Sequence, residues 1–556
     1  MRNQQQRYPW LVLLLILSMM VLSMDLTAQD QDGGALPNVE IEITNQLKVI
    51  LPVADRMYVK VPPRASEPVQ PAIQYQFKPV SVVTPVFVPQ IKPLRLKPTA
   101  SESGADRYVR AGFGNYRSPL LDLRLHTKGG TSNGLGLKLF HQSFGTGPVD
   151  GKNSAAGRTE LGLYGHSVGD LLKVDGQLDY ANRSAHFYGY PAGSAPEVSS
   201  IEQQYKQVSF AGRLSNSKSG DVNFQAGASY SYLWDHYHAL ETDVQTSLTG
   251  NYKIDAGKRI ELAANYGLLA RKDSLQEAKP RHLLQINPAL VFSPLEKLQL
   301  RIGAGMALQN DTINQRKAFH LYPDLAAEFR VHDAVTLFAS VTGNMDKVSL
   351  HSLSGQNIWV APNISLYHTN RKFDASGGLR LKIGTLGQAT LGASYAQLAD
   401  WYFFLNQPTD VKKFDVIYDQ GITKRTNVFG ELQLSYRSKT VFSARVDLYQ
   451  YKTEQQAEAW HRPAYRFRAS LQQNVQGKLF FHTDLMAAGG MKAKDALGSV
   501  VTLLPALDLN AGVDYHLTSK WSVFLKGNNL LNSAYPVFQN YPVRGIQIQV
   551  GATLSF

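Results

Sequence analysis

The side chains able to do chemistry in this chain fall into a few short groupings. Gly165-His166-Ser167-Val168-Gly169 matches Gly-x-Ser-x-Gly, which presents a nucleophilic serine where a strand turns into a helix. Here the pentapeptide ends one alternating stretch, and Asp170 and a second alternating stretch come next, so the context that would expose the serine is missing. His236 and His238, in Trp234-Asp235-His236-Tyr237-His238, are two apart and would share one face of a strand. Two imidazoles can begin a metal site, but such a site needs three or four ligands and no third is assignable by spacing. The pair reads as loop or rim histidines. Gly145 to Ser154 is glycine-bearing, yet Gly151-Lys152 lacks the glycine at the offset a phosphate loop requires. There is no cysteine, which excludes disulfides, thiolate metal sites and cysteine nucleophiles. The expectation is a protein that is not an enzyme, with no catalytic, cofactor-binding or metal-binding residues and no cofactor.

The elements that would position these groups begin with an export signal. Arg2 and Arg7 precede an apolar core from Trp10 to Leu22, and Leu26-Thr27-Ala28 ends on the small residue a signal peptidase needs. Residues 1–28 are expected to be a signal peptide cleaved before Gln29, which lowers the net charge from +13 to +12. Lysine and arginine are spread along the chain without a dense run, so the basic surface does not read as a nucleic-acid partner. Lipid head groups or an anionic solute would supply the counter-charge, and basic rims and loops need no specific partner at all.

Residues 29–104 differ in composition from the rest of the chain, holding eleven of the 26 prolines, among them Pro62-Pro63, Pro85 and Pro93. Proline fixes φ and removes a ladder donor, so this stretch is expected to be extended and neither helix nor central strand. Val39, Ile41 and Ile43 alternate with Glu40 and Glu42, and Val80 to Val88 is apolar enough to want burial. Such a segment could line a lumen, dock on a periplasmic or outer-membrane protein partner, or simply tether.

From residue 105 to 556 the chain alternates apolar and polar residues, broken by turns. Ile546, Ile548, Val550, Ala552, Leu554 and Phe556 alternate with Gln547, Gln549, Gly551, Thr553 and Ser555. Leu298 to Leu308 and Leu507 to Leu517 repeat the pattern, with Asp508, Asn510 and Asp514 on the face opposite the leucines. A tilted transmembrane strand needs roughly 9–11 residues, longer than the ~5–6 of a soluble sandwich. The fold class is therefore all-β, a transmembrane antiparallel β-barrel of about 22 strands, with 18 or 20 also compatible. The first strands fall near Tyr108–Gly114, Leu120–Lys128 and Gly134–Phe144, and the last near Trp521–Leu531 and Gly545–Phe556. Asp175, Asp179, Asp508 and Asp514 are placed in the lumen, where charge tunes which solutes pass. Trp401 to Phe404, Tyr449 and Tyr451 are expected in aromatic girdles at the head-group level.

The C-terminal stretch resembles the end of TonB-dependent receptor barrels. The resemblance rests on Gly527-Asn528-Asn529-Leu530-Leu531-Asn532, Tyr535, Tyr541-Pro542, Arg544-Gly545 and the terminal Phe556. It implies that Asn529, Leu530 and Asn532 close the penultimate strand, with Tyr541, Pro542 and Arg544 completing the motif. It also implies that Phe556, Leu554 and Val550 form the terminal signal read by the barrel-assembly machinery. Ala111-Gly112-Phe113-Gly114-Asn115-Tyr116 is similar to the first strands of the same barrels. Those receptors carry a globular plug of well over a hundred residues, whereas 29–104 is short and proline-dense. The chain thus looks like a plugless relative of the kind found in Bacteroidota. That implies the Gram-negative outer membrane, contact with its lipid, and passage of solutes, with TonB energy coupling left open. The alternative is a non-enzymatic subunit of an envelope assembly or secretion complex that docks partners through residues 29–104.

Overall fold

The computed structural model describes residues 107–127, 132–275, 277–311, 317–437 and 439–556. The expected signal peptide and proline-rich segment lie outside the described residues. Within them, 22 strands form one antiparallel sheet in chain order. The first strand, Tyr108–Gly114, pairs with the second, Ser118–His126, and also with the last, Gln547–Ser555, so the sheet closes on itself. Closure satisfies every edge, which an open sheet in hydrocarbon could not do.

The period-two pattern sorts the faces. Leu163, Leu178, Phe210 and Tyr230 sit directly opposite one another on four successive strands, and all are exposed on the outside. On the last strand Ile548 and Val550 face outward while Gln549, Thr553 and Ser555 are buried inward, as the alternation requires. An apolar belt outside and polar side chains inside is what a bilayer selects.

The long connections all lie at one end. Strands Leu240–Asp255 and Lys258–Lys272, Glu277–Leu295 and Leu298–Gln309, and Phe319–His332 and Val335–Asp346 are joined by tight turns at the other. Long segments run over 187–201, 347–368, 453–464, 490–505 and 529–546. Short turns mark the periplasmic end and long loops the outer end, and Phe556 lies at the short-turn end.

Two aromatic expectations need correction. Tyr402, Phe403 and Phe404 are buried, not set in a lipid girdle. They belong to a hairpin of two unusually long strands, Gly387–Asn406 and Phe414–Tyr436, which runs on well past the length a bilayer needs. The ladder slips between Ala399 and Trp401, and Asp400 takes φ +57° there. That bulge separates the membrane part of the hairpin from a part with both faces covered. One face packs into the cluster described below, and the other puts Phe403 against Ala459 and Trp460. Tyr449 and Tyr451 lie on the same face of strand Thr440–Lys452 as Arg445 and Asp447, which is the lumen. The girdle consists instead of Tyr252, Phe329, Tyr436, Tyr515 and Trp521, exposed at the short-turn ends of their strands. Amphipathic rings at that depth meet head groups with one end and acyl chains with the other.

Candidate functional site

The largest apolar cluster among the described residues sits at the long-loop end. It joins lumen-facing Tyr205 and Leu233 to residues of three long connections, 187–201, 347–368 and 529–546, and of the extended hairpin. Segment 347–368 is central to it. Ser349 starts the helix Leu350–Gln356 with a reciprocal cap: its Oγ accepts from the Ser352 N–H (3.1 Å), and its own N–H donates to the Ser352 Oγ (2.9 Å). The buried Glu241 carboxylate accepts the Leu350 and His351 N–H groups at 2.6 and 2.9 Å. Leu350 and Leu353 then turn into the cluster, followed by Val360 and Ile364.

The segment is tied at both ends to the barrel wall. Arg281 donates to the Val348 carbonyl (2.9 Å), to both Asp311 oxygens (2.6 and 3.0 Å) and to His368 Nδ1 (2.8 Å). Burial, together with the Arg281 guanidinium, pushes the His368 imidazole down to about 3, so it stays neutral and accepts. Burial alone would raise the Asp311 carboxyl, but its hydrogen bonds from Arg281 prevail and hold it below the usual carboxylate range. Arg271 donates to the Ile364 carbonyl at 2.6 Å. The hairpin strand adds backbone bonds, with Phe414 N–H on Trp359 O (3.0 Å) and Ala361 N–H on Phe414 O (2.8 Å).

The last connection, 529–546, adds Phe538 and Tyr541 to the same cluster. Asn529 and Asn532 both take positive φ, +47° and +50°, a conformation asparagine tolerates. This is why the penultimate strand, Trp521–Asn528, stops short of the expected Leu531. Asn529 Nδ2 donates to the carbonyls of Ser533 (3.0 Å) and Arg544 (2.7 Å), while its Oδ1 accepts the Ser533 N–H (3.0 Å). One side chain thus gathers the start and end of the loop. The Leu530 N–H donates to Leu509 O (2.9 Å). Between these ends, Pro536–Phe538 and Tyr541–Pro542 form a small hairpin that carries Tyr541 into the cluster, fully buried.

The Tyr541 ring lies 4.0 Å from Trp359, 4.7 Å from Tyr188 and 5.6 Å from Phe414. Its hydroxyl donates to the Lys412 carbonyl, and Tyr188 OH donates to Pro542 O at 3.2 Å. Gly189 makes room for it, since a Cβ there would overlap the ring and force it to shift. Arg544 donates to Ser154 O (3.2 Å) and stacks over Phe144 at 4.2 Å, joining this loop to residues 145–155. His461, in 453–464, donates from Nδ1 to Phe404 O (2.8 Å) and accepts the Gln539 N–H on Nε2 (3.2 Å). Burial lowers it to about 4, consistent with that neutral form.

The structure therefore brings together Asn529, Leu530, Asn532, Tyr541, Pro542 and Arg544 in one loop at the outer mouth. Val550 and Leu554 lie on the last strand and Phe556 directly follows it, with Val550 and Phe556 exposed and Phe556 at the opposite, periplasmic end. Ser167 is a strand residue bonded to Asn133 Oδ1 (2.7 Å). His236 and His238 are exposed in the turn 236–239, and no group of three metal-ligating side chains occurs among the described residues. Asp179 pairs with Lys138 (2.8 Å), Asp514 with Arg110 (2.9 Å), and Asp508 accepts from Tyr535 OH (2.8 Å), all inside the barrel. Sequence reasoning missed Trp359, Tyr188 and the whole of 347–368. The available signal was Val348, Leu350, Leu353 and Val360 recurring inside a long connection, where exposed loops are normally polar.

Below the mouth the wall turns polar. A concavity of about 500 Å³ is lined by Gln177, Gln225, Ser229, Gln245 and Asn265, among others.

No protein-family model matches this sequence, and a search of curated proteins returns no match. Solved structures do match in fold. The ferric-catecholate import receptor Fiu of E. coli K12 superposes with TM-score 0.62 at 8% identity, covering 81% of this chain and 82% of that one. The siderophore receptor PirA of Acinetobacter baumannii gives 0.62 at 10% identity, covering 81% and 79%. The FrpB iron transporter of Neisseria meningitidis gives 0.63 at 12%, covering 81% of each. What this chain shares with them is the closed antiparallel barrel, and with its apolar belt and inward polar face it is a barrel of the Gram-negative outer membrane.

Proposed function

We propose that this chain is a gated transport barrel of the outer membrane, a plugless relative of the TonB-dependent receptors of the Bacteroidota type. In this reading three inward-folded connections, not a globular plug, close the outer mouth. The observation that supports it is the Tyr541–Trp359–Tyr188 cluster packed across a lumen whose wall below is polar. A permanently open pore would have no use for a mouth packed like a protein interior. Residues 29–104 would serve as a periplasmic or lumenal segment, and residues 1–28 as the cleaved signal. Val550, Leu554 and Phe556 would be read by the barrel-assembly machinery during insertion. The solute would pass only when 347–368 and 529–546 part.

The test is single-channel conductance in planar bilayers for the mature chain, for a version lacking residues 29–104, and for Trp359→Ala/Tyr541→Ala. A mature chain that is silent, with large conductance in the mouth variant, supports the gate. Large conductance in the unmodified mature chain would overturn it. Silence in all three, despite heat-modifiable folded barrels, would hand the case to the envelope-complex subunit. The closed mouth favours that second reading in one respect, because an anchor needs no path.

A further inference from the structure

Most lumenal charges in this barrel are matched. Arg301 is shared by Glu261 and Asp324, Lys138 meets Asp179, and Lys347 meets Asp243. One patch of wall departs from that rule. On strands Thr440–Lys452 and Tyr465–Val475, Arg445 is directly opposite Arg468, and Asp447 is directly opposite Arg466.

The carboxylates nearby are already committed. Arg445 donates from Nε and Nη2 to the two oxygens of Asp447 (2.9 and 2.8 Å) and from Nη1 to Glu431 (2.9 Å). Asn427 adds a further donor to Asp447 at 3.3 Å. Arg466 and Arg468, both half-buried, have no carboxylate within ion-pair distance among the described residues. They are two apart on one strand and so share the lumen face with Arg445 and Tyr449. The Tyr449 hydroxyl likewise has no hydrogen-bond partner there, its ring being stacked on Tyr451 at 5.8 Å.

The patch is thus donor-rich and acceptor-poor. Like charges directly opposite on a sheet destabilise it, and guanidinium groups half withdrawn from water lose part of their hydration. Two uncompensated guanidiniums on a polar wall are tolerable where an anion from solution fills the gap. Their forked N–H groups suit the oxygens of carboxylates and phosphates better than a lysine would.

We propose that Arg466, Arg468 and the Tyr449 hydroxyl form a lumenal binding site for a solute carrying carboxylate or phosphate groups. The site lies on the upper part of its strands, just below the segments that close the mouth, so a solute released inward by the gate meets it first. Head groups of the bilayer are excluded as the source, because these side chains face away from lipid. The proposal rests on reading the lumen as a solute path, yet binding can be measured without any passage.

The experiment is titration calorimetry on the folded mature chain in non-ionic detergent at low ionic strength, with citrate and pyrophosphate as probes. Saturable binding of at least one probe is expected, weakened by about tenfold or more in Arg468→Gln and abolished in Arg466→Gln/Arg468→Gln. Arg468→Lys should recover part of the affinity, and Lys173→Gln, a lumenal lysine already paired with Asp175, should leave it unchanged. Heat-modifiable migration reports that each variant is a folded barrel. Absence of saturable binding by the unmodified chain, or equal affinity in the double variant, overturns the site. Either result leaves the gate to be judged by conductance alone.

Discussion

The two ends of this barrel obey opposite rules. At the periplasmic end the turns are a few residues long, the rings face lipid, and the interior wall is lined by amides, hydroxyls and paired charges. At the outer end the strands overrun the membrane, and the space between them is filled by a core of Tyr, Phe, Trp, Leu and Val. A membrane wall needs only alternation, because one face meets lipid and the other water. A packed mouth rests on what a soluble domain rests on: contiguous apolar burial, a capped helix and satisfied backbone. The same chain supplies both, by adding length to connections at one end.

That contrast can be broken most directly at Tyr541. Deleting its ring removes contacts to Trp359, Tyr188 and Phe414 together. Tyr541→Ala should cost the docked loop about 3–5 kcal/mol, the usual figure for emptying a large aromatic site. Protease cleavage within 529–546 should then become fast, while the barrel keeps its heat-modifiable migration. If the barrel unfolds instead, mouth and wall are one cooperative unit and the contrast fails. Gly189→Ala probes the same packing from the other side. The new methyl would overlap the Tyr541 ring, which must move, at a cost of about 1–3 kcal/mol. Hydrogen exchange in 187–201 and 529–546 should speed up, with the strands beneath unchanged.

How much of this the sequence disclosed divides along the same line. The wall was legible because alternation is a local, repeated signal; the placement of Ile548, Val550 and Asp514 comes from parity alone. Parity also explains the misplacement of Tyr402 to Phe404. It holds only along an unbroken ladder, and the bulge at Asp400 resets it between Leu398 and Trp401. The mouth was mostly illegible because its contacts join residues hundreds of positions apart, such as Tyr188 with Tyr541 and Phe144 with Arg544. The Asn529 to Arg544 motif was visible as a pattern, but its role as a clamp depends on two positive-φ asparagines whose partners lie in the fold. Arg466 and Arg468 were readable as lumenal, yet their want of a carboxylate depends on Asp447 choosing Arg445.

Acid should separate the two ends by pH. His461 is held neutral in the folded mouth at about 4, against an ordinary 6.5. A histidine whose folded value is depressed contributes its full stability above the unfolded value and loses it as pH falls from 6.5 toward 4. The loss is about 1.4 kcal/mol per pH unit in that window. His368, depressed further to about 3, adds its own loss over the same window and continues it below pH 4. Protonated His461 could no longer accept the Gln539 N–H, so the contact between 453–464 and 529–546 is the first to yield. Cleavage of 529–546 should therefore quicken between pH 6.5 and 4, and His461→Gln should make that dependence shallower, leaving the share of His368. A flat profile in the unmodified chain would show that the loop is held elsewhere.

The smallest effect is expected on the polar wall. Lys173 and Asp175 form an ion pair of 3.2 Å near the periplasmic end, with both side chains substantially exposed. Pairs of that kind contribute about 0–1 kcal/mol, because water and salt already solvate both charges. Lys173→Gln should leave the thermal midpoint of the barrel, the protease resistance of the mouth and its acid response indistinguishable from those of the unmodified chain. Were this substitution to loosen 529–546, coupling would have to run the length of a strand through a wall with no packed core to carry it. The two ends could then no longer be treated as separate solutions to separate problems. Paired measurement of Lys173→Gln and Tyr541→Ala, and of the two combined, decides this. Additive effects keep the ends independent, and an interaction beyond ~0.5 kcal/mol joins them.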